Sequence, residues 1–201
     1  MVKLVYTLRS GRSPRKGVQV QVLFPAQLQS SFPRFFDLPF SVFSLIGTAE
    51  VTVVIWLAIA LILLLRRRFT TLLFFCLFLA GLVIETVGKL FISHPAPPSN
   101  LYRGVFHLDL PSSQVPVVYS YPSGHLFRTA FLIVFLIAAS SLLLKKSQQR
   151  AAQIALLAFL FVMAVSRVYL AEHWTSDVIG GLLLGISFGC LASASLVIKK
   201  S

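Results

Sequence analysis

Apolar residues in this chain come in long runs that short polar hinges separate. A helix that crosses a bilayer needs roughly 20 mainly apolar residues, because that length spans the hydrocarbon core. Each run of this length predicts one membrane span. The spans predicted in this way are Phe43–Leu65, Phe69–Ile92, His125–Leu144, Ala151–Leu170 and Asp177–Ile198. The pattern therefore predicts an all-α fold, a polytopic transmembrane helix bundle of about five spans.

The segment Ser93–Pro122 separates the second and third predicted spans. It is rich in proline and polar residues and contains no apolar run of span length. Proline lacks the backbone N–H that a helix interior requires. We therefore expect a loop or a segment that lies on the membrane surface.

Glycine recurs every four residues in the last predicted span, at Gly181, Gly185 and Gly189. Small residues at this spacing share one helix face and let two backbones approach closely. The repeat predicts that the last helix packs tightly against a neighbouring helix.

The composition fits a bilayer as the solvent, since 57% of the residues are apolar and only 12% are charged. A soluble domain carries about twice that charged fraction. We expect a basic N-terminal tail, residues 1–40, that lies at the membrane interface, and one membrane domain, residues 41–201. Membrane lipids are the expected surroundings, and no nucleic-acid partner is expected.

Lysine and arginine are concentrated in three short segments, Arg66–Arg68, Lys145–Arg150 and Lys199–Lys200. All three lie on one side of the membrane if the spans alternate in direction. Short loops rich in these residues stay cytoplasmic. We therefore predict an integral plasma-membrane protein in which the long loop and the polar residues around it face the extracytoplasmic side.

The basic N-terminal tail conflicts with this orientation, because five spans and a cytoplasmic C-terminus place the tail outside. Either the tail is an exported segment or an upstream span is missing, and we favour the second interpretation. The tail lacks the apolar core of a signal peptide. A disordered basic chain that touches anionic lipid headgroups explains its charge.

A short polar motif, YPSGH at Tyr121–His125, comes immediately before the third predicted span. A helix start leaves backbone N–H groups free, and such groups bind anions. Gly124 permits close backbone approach, Ser123 adds a hydroxyl donor, and His125 can carry a proton near neutral pH. A simple helix-capping turn is the alternative explanation for this motif on its own.

A second polar cluster, Ser166–Asp177, covers the end of the fourth predicted span and the start of the fifth. Charged residues at the membrane boundary are costly and tend to be functional. His173 and Asp177 are four residues apart, so a helical or tightly turned segment lets the carboxylate orient the imidazole and make it more basic. The alternative is that Asp177 only caps the fifth helix.

The third polar element is Lys89 near the end of the second predicted span. A lysine at this position either binds an anion or extends its ammonium group to the lipid headgroups. Glu85 lies one turn earlier, at the spacing that allows an ion pair.

Together these three elements resemble the type 2 phosphatidic acid phosphatase (PAP2) superfamily. That superfamily includes bacterial lipid phosphatases and polyprenyl diphosphate phosphatases and shares its site with vanadium haloperoxidases. Its pattern is a lysine followed by Arg-Pro, then PSGH, then Ser-Arg, five residues, His, three residues and Asp. The chain matches the last two parts in full. The first part matches at Lys89 and Pro97, but Ala96 occupies the position of the arginine, and the usual member has six spans.

The resemblance implies a membrane phosphatase for a lipid phosphate or a polyprenyl diphosphate, with a phosphohistidine intermediate. It makes His173 the nucleophile, Asp177 the group that orients it and His125 the acid that protonates the leaving oxygen. The phosphate-binding groups that it implies are Lys89, Ser123, the Gly124 backbone N–H and Arg167. No metal and no other cofactor is implied, because side chains supply the cations.

The alanine at Ala96 leaves the implied phosphate site one cation short. Arg128 lies one turn inside the third predicted span, on nearly the same helix face as the implied acid. We expect Arg128 to supply the missing contact, with Arg103 in the loop as a second candidate. The alternative is that Arg128 pairs with Glu85 or Glu50 and only holds helices together.

Two other functions compete with the phosphatase hypothesis. A weakly active or inactive homologue would bind phospholipid headgroups without turnover, and Ala96 favours that interpretation. A transporter or channel would explain charges within a membrane, but these charges cluster at one surface and do not line a midplane path.

Overall fold

The computed structural model describes residues 16–106, 110–111 and 119–198, and its regular elements in these ranges are all helical. Residues 1–15 of the basic tail, part of the proline-rich segment and the basic residues Lys199 and Lys200 lie outside the described residues. The α-helices are α1 Lys16–Ser31, α2 Asp37–Ile46, α3 Ala49–Leu65, α4 Phe69–Phe75, α5 Leu77–Phe91, α6 Gly124–Leu143, α7 Lys146–Tyr169 and α8 Thr175–Ile198. Short 3-10 turns occur at Arg34–Phe36 and Ser99–Leu101. The predicted all-α bundle is confirmed.

Four helical segments are long and apolar enough to cross a membrane. These segments are Phe69–Phe91, which joins α4 and α5, then Gly124–Leu143, Lys146–Tyr169 and Thr175–Leu196. They confirm the last four predicted spans. The helix of the fourth predicted span begins at Lys146 instead of Ala151, because polar residues in its first turn carry the helix beyond the apolar run.

The first predicted span is not one straight helix. Its sequence is divided between α2 and α3, which meet at an angle of 43° across Gly47 and Thr48. A Cβ placed on Gly47 would lie 2.9 Å from Cδ2 of His125, so the break lets this imidazole approach the backbone. The described bundle has five spans if the bent pair crosses as one unit.

The tightest helix packing joins α6 to α8, as the glycine repeat predicts. A Cβ placed on Gly181 would overlap the carbonyl oxygen of Ser123, and one on Gly185 would overlap that of Phe127. Gly189 continues the contact, since its Cβ would lie 3.1 Å from the carbonyl oxygen of Phe131. This backbone contact fixes the start of α8 beside the start of α6.

An aromatic core holds α3, α4 and α5 against α6. Its buried rings belong to Trp56, Phe75, Phe78, Phe127, Phe131 and Phe135. The Trp56 ring stacks on both Phe75 and Phe78, with centroids 5.8 and 5.5 Å apart. A Cβ on Gly88 would lie 2.6 Å from Cδ of Pro122, so the end of α5 closely approaches the segment that precedes α6.

The described part of the predicted N-terminal tail contains helix α1 and the beginning of α2. Gln29 is buried, and its side-chain amide donates to the carbonyl oxygens of Leu101 and Tyr169, each at 2.7 Å. This end of α1 therefore contacts the end of α7 and the long loop. The division of the chain at residue 40 stays a prediction.

Candidate active site

Backbone hydrogen bonds bring the three polar elements to one end of the bundle. The Ser123 N–H donates to the carbonyl oxygen of Asp177 at 3.0 Å, which joins the YPSGH motif to the first turn of α8. The Tyr119 N–H donates to the carbonyl oxygen of Lys89 at 3.1 Å, which joins the same segment to the end of α5. Residues from distant parts of the chain therefore line one site.

The His173 imidazole is paired with Asp177. Its Nδ1 lies 3.4 Å from Oδ2 of the carboxylate, which also accepts the backbone N–H of Trp174 at 3.1 Å. Asp177 is completely buried. Burial lowers the pKa of His173, and the hydrogen bond to Asp177 opposes that shift. Nδ1 of His173 faces the carboxylate, and Nε2 therefore lies on the side of the ring away from Asp177.

His94 also contacts the Asp177 carboxylate, and sequence reasoning missed it. Its Nδ1 lies 2.8 Å from Oδ1, while its Nε2 lies 3.4 Å from Oγ of Ser176. The Ser120 N–H and hydroxyl both donate to the His94 carbonyl oxygen at 2.9 Å, and this holds the loop in place. Two imidazoles from different segments thus share one buried carboxylate.

Trp174 helps to close this part of the site. Its side chain is buried, so it packs within the protein. Its Nε1–H donates to the carbonyl oxygen of Pro95 at 2.7 Å. The bond ties the loop that carries His94 to the residues that precede α8.

Arg167 lies in the last turn of α7 and is buried. Its guanidinium contacts the Glu172 carboxylate and the Ser44 hydroxyl of α2. The His173 N–H donates to the Arg167 carbonyl oxygen at 3.3 Å, so the backbone folds back on this residue. Arg167 is thereby held next to the His173 segment.

Lys89 and Arg128 share the carboxylate of Glu85. The Lys89 ammonium lies 2.6 Å from Oε1, and Nη1 of Arg128 lies 2.9 Å from Oε2. Glu85 and Arg128 are both buried. A Cβ on Gly124 would lie 2.6 Å from Nη1 of Arg128, so this ion triad packs against the start of α6. Arg128 thus makes the ion pair with Glu85 that is expected if its role is to hold helices together.

Arg103 has protein partners at the same end of the bundle. Its Nη1 donates to the carbonyl oxygen of Gln29 at 3.2 Å and to the Tyr169 hydroxyl at 3.0 Å, and lies 3.9 Å from Oδ1 of Asp37. Its guanidinium also lies 5.3 Å from the centre of the Tyr169 ring. These contacts join the loop to α1, α2 and α7.

Buried donors without a partner occur in this same cluster. Three such donors belong to predicted site residues, namely the Ser123 hydroxyl and the Nε–H groups of Arg128 and Arg167; in the described part of the chain the buried Thr129 hydroxyl and the acceptor Oδ1 of Asp177 also lack a hydrogen-bond partner. An unpaired buried donor costs free energy, and it usually indicates an absent water, ion or ligand. The three donors therefore point to a site that an anion would complete.

His125 is the second residue of α6 and lies within the electrostatic field of the cluster. Arg167, Arg128, Lys89 and the His173 ring lie close enough to act on it electrostatically. Its ring also approaches the backbone at Gly47, as described above. The structure thus brings all eight predicted site residues to the same end of the bundle. Within the described ranges, no three His, Cys, Asp or Glu side chains form a metal-binding group.

Comparison with known proteins gives one family and one solved structure. A family model described as the PAP2 superfamily matches residues 69–199. Comparison with curated protein sequences gives no match. The chain is similar to the crystal structure of the first transmembrane PAP2 type phosphatidylglycerolphosphate phosphatase from Bacillus subtilis, with a TM-score of 0.72 and 18% identity. The match covers 94% of this chain and 90% of that chain, and at this identity the likeness concerns the fold.

Proposed function

The chain belongs to the PAP2 superfamily, and from this premise we propose that it hydrolyses a lipid phosphate or a polyprenyl diphosphate in the membrane. It is an integral membrane protein with a phosphatase fold. The observation that carries the proposal is the His173–Asp177 pair beside three buried donors that have no partner in the described structure. Such a site combines an oriented nucleophile with groups that donate hydrogen bonds to a phosphoryl oxygen.

In the proposed reaction, Nε2 of His173 attacks phosphorus while Asp177 orients the ring from Nδ1. The bond from phosphorus to the leaving oxygen breaks as the P–N bond forms, and His125 gives its proton to that oxygen. Water then attacks the phosphohistidine, and His125 takes one proton from that water. The P–N bond breaks, and inorganic phosphate and the free imidazole are released.

Charge on the transferred phosphoryl group is stabilised by donors from three helices. The proposed contacts are the Lys89 ammonium, the Arg167 guanidinium, the Ser123 hydroxyl and the Gly124 backbone N–H. Ser123 and the Gly124 N–H are held at the start of α6 before substrate arrives, so these two donors need little reorganisation in the transition state. Because cationic side chains provide the positive charge, the proposed reaction needs no metal ion.

We propose that Arg128 replaces the family arginine, whose position Ala96 occupies in this chain. Its Nε–H has no partner in the described structure, although its Nη1 pairs with Glu85. Its side chain also packs at Gly124, whose backbone N–H is a proposed phosphate donor. Arg128 is therefore close enough to the helix start to contact the same anion.

A second function is favoured by the charges already present in the site. Lys89 and Arg128 share Glu85, and Arg167 contacts Glu172. Each cation that is proposed to bind phosphate therefore already has a carboxylate partner within the protein. With Ala96 in the family position, the protein would then bind phospholipid headgroups weakly and turn nothing over. Binding without phosphate release would identify this function.

The proposed function is tested by phosphate release from purified protein in detergent. The substrates are phosphatidic acid, phosphatidylglycerol phosphate and undecaprenyl diphosphate, each measured with and without EDTA. We expect release that EDTA does not abolish, and a loss of roughly a thousandfold or more in His173→Ala. A melting curve for each variant shows that it is folded. Turnover by His173→Ala at the wild-type rate would contradict the assigned nucleophile, and loss on chelation with recovery in magnesium would contradict a metal-free reaction.

A further inference from the structure

A cavity lies at the end of the bundle opposite the candidate active site. It has a volume of about 650 Å³ and lies between α3, the start of α4 and the last half of α6. Helix α6 begins at the candidate active site and reaches this cavity between Phe135 and Leu143. At 1.5 Å per residue, the cavity lies roughly 15 to 27 Å from His125 along the helix axis.

The walls of this distal cavity are almost entirely apolar. Ile62 and Leu63 of α3 face Phe135 and Leu142 of α6 across it. Its volume is in the range of cavities that hold a drug-sized ligand. The apolar walls fit hydrocarbon and offer nothing to a free ion.

Two arginines give the distal cavity a cationic rim. Arg66 and Arg68 line it, whereas the intervening Arg67 does not. Arg67 has a φ of 51°, so the turn between α3 and α4 passes through the left-handed region at this residue. The Arg68 N–H donates to the carbonyl oxygen of Leu63 at 2.9 Å, which closes the turn. The turn therefore places Arg66 and Arg68, but not Arg67, beside the cavity.

The charge at this rim has no counterpart in the described structure. The residues that line the cavity include no acidic side chain, and neither Arg66 nor Arg68 forms an ion pair within the described ranges. Both side chains are exposed, so a ligand can reach them. A ligand that both fills the apolar space and pairs with the two arginines must combine an anionic group with a long apolar part.

We infer that the distal cavity binds an anionic phospholipid from the leaflet opposite the candidate active site. An acyl chain fills the apolar space between α3 and α6, and the phosphodiester lies between Arg66 and Arg68. Basic residues at a membrane surface attract anionic headgroups in this way. This lipid is a bound ligand and not the substrate, because its phosphate lies at the other end of the span from His173.

The test uses phosphatidylglycerol, a phosphodiester, so that a phosphomonoesterase does not consume it. Delipidated protein in detergent is titrated with phosphatidylglycerol, with phosphatidylcholine of the same chains and with glycerol phosphate, and the melting temperature is followed. Phosphatidylglycerol should stabilise the wild type more than the other two ligands. The variant Arg66→Gln/Arg68→Gln should need roughly tenfold more phosphatidylglycerol for half of the effect.

Arg67→Gln is the control for charge in the turn, and the single variants Arg66→Gln and Arg68→Gln are compared with it, since each of the three removes one positive charge but Arg67 does not line the cavity. Arg67→Gln should behave as the wild type. Equal weakening in Arg67→Gln, equal stabilisation by phosphatidylcholine, or an unchanged double variant would each overturn the inference. Stabilisation by glycerol phosphate alone would assign the arginines to a free anion. Light scattering that shows a wild-type dimer and a monomeric double variant would assign the cavity to a second copy of the chain. Either this result or stabilisation by glycerol phosphate alone would reject the lipid. None of these results depends on whether the protein is a phosphatase.

Discussion

At the scale of single residues, Glu85 places a carboxylate between two cations that the proposed mechanism assigns to phosphate. Its two oxygens lie 2.6 Å from the Lys89 ammonium and 2.9 Å from Nη1 of Arg128. A buried carboxylate with two cationic partners is well compensated. Substrate phosphate must therefore join this triad or displace the carboxylate from one cation.

Arg128→Ala separates a phosphate contact from a purely structural ion pair. If Arg128 holds phosphate, the variant should lose roughly a hundredfold in turnover while it remains folded, and adding Ala96→Arg should restore part of the loss. Glu85→Gln is the matched control, because it weakens the same ion pair and keeps the guanidinium. It should retain far more turnover than Arg128→Ala. A structural role predicts instead that both variants lose melting temperature together and that Ala96→Arg rescues neither.

His94→Ala should slow turnover because Asp177 then loses the imidazole that lies 2.8 Å from its Oδ1. Removing a partner behind an oriented histidine typically costs tenfold or more, and we expect about tenfold here. His94→Asn is the control, since its amide N–H replaces Nδ1–H, and it should keep most of the activity. Combined with Asp177→Asn, His94→Ala should add little, because both changes act through one carboxylate. Wild-type turnover by His94→Ala would show that the contact plays no part in the reaction.

The pH dependence of turnover follows from the environment of His173. Burial lowers the pKa of this group below its ordinary value of 6.5. In the proposed reaction the neutral His173 ring is the nucleophile, and this form should persist as the pH falls past that value. We expect the acid limb of kcat/KM, measured between about pH 4 and 8, to have its midpoint below 6.5. A midpoint above that value would contradict the assignment of this limb to His173.

At the scale of elements, the glycine face of α8 decides how close its first turn lies to α6. Asp177 and Ser123 form a backbone hydrogen bond across this contact. Any separation of the two helices would move the nucleophile away from the phosphate donors. The glycine face is therefore a structural requirement of the candidate active site.

Gly185→Ala should destabilise the protein, because its Cβ would overlap the backbone carbonyl oxygen of Phe127, which cannot rotate away. Overpacking of this kind costs about 1–3 kcal/mol. Leu183→Ala is the control, since this residue lies on the exposed face of α8. Thermal unfolding in detergent should show a lower melting temperature for Gly185→Ala only. Equal melting temperatures for Gly185→Ala and the wild type would mean that α6 and α8 are less tightly constrained.

The break between α2 and α3 is a second element that serves the site. It lets Ser44 of α2 reach the Arg167 guanidinium while Gly47 makes room for the His125 ring. A straight helix over the same residues would point Ser44 in another direction. The bent pair therefore connects the first span to two proposed catalytic contacts.

At the scale of the whole molecule, the candidate active site and the basic turns lie at opposite ends of the bundle. The positive-inside rule predicts that Arg66–Arg68 and Lys145–Arg150 lie in the cytoplasm. Single cysteines at Ser99 and Ser147 test this orientation, because both serines are exposed at opposite ends. The native Cys76 and Cys190 are first replaced by alanine.

An impermeant maleimide should label Ser99→Cys in intact cells and Ser147→Cys only after lysis. The paired variants control for reagent access, since the same residue type is replaced in both. The reverse pattern would invert the topology and would place the candidate active site in the cytoplasm. Labelling of both variants in intact cells would indicate leaky cells, which a cytoplasmic marker protein detects.

The sequence by itself determined the spans and the set of candidate residues. Span positions depend on the length of local apolar runs, and the close contact of α8 depends on a local glycine repeat, so both are readable without distances. The roles of Lys89, His125 and His173 came from the resemblance to the PAP2 superfamily, and they remain proposals.

Only the tertiary structure decided which of these groups meet and which further residues join them. His94 approaches Asp177 across a loop whose path no local pattern records, and Glu85 joins Lys89 to Arg128 across two helices. The bend at Gly47 and the burial of Trp174 were likewise hidden, because apolar periodicity is the same in a straight and a bent span. A contact between distant segments depends on the packing of the whole bundle, and local sequence spacing does not contain that information.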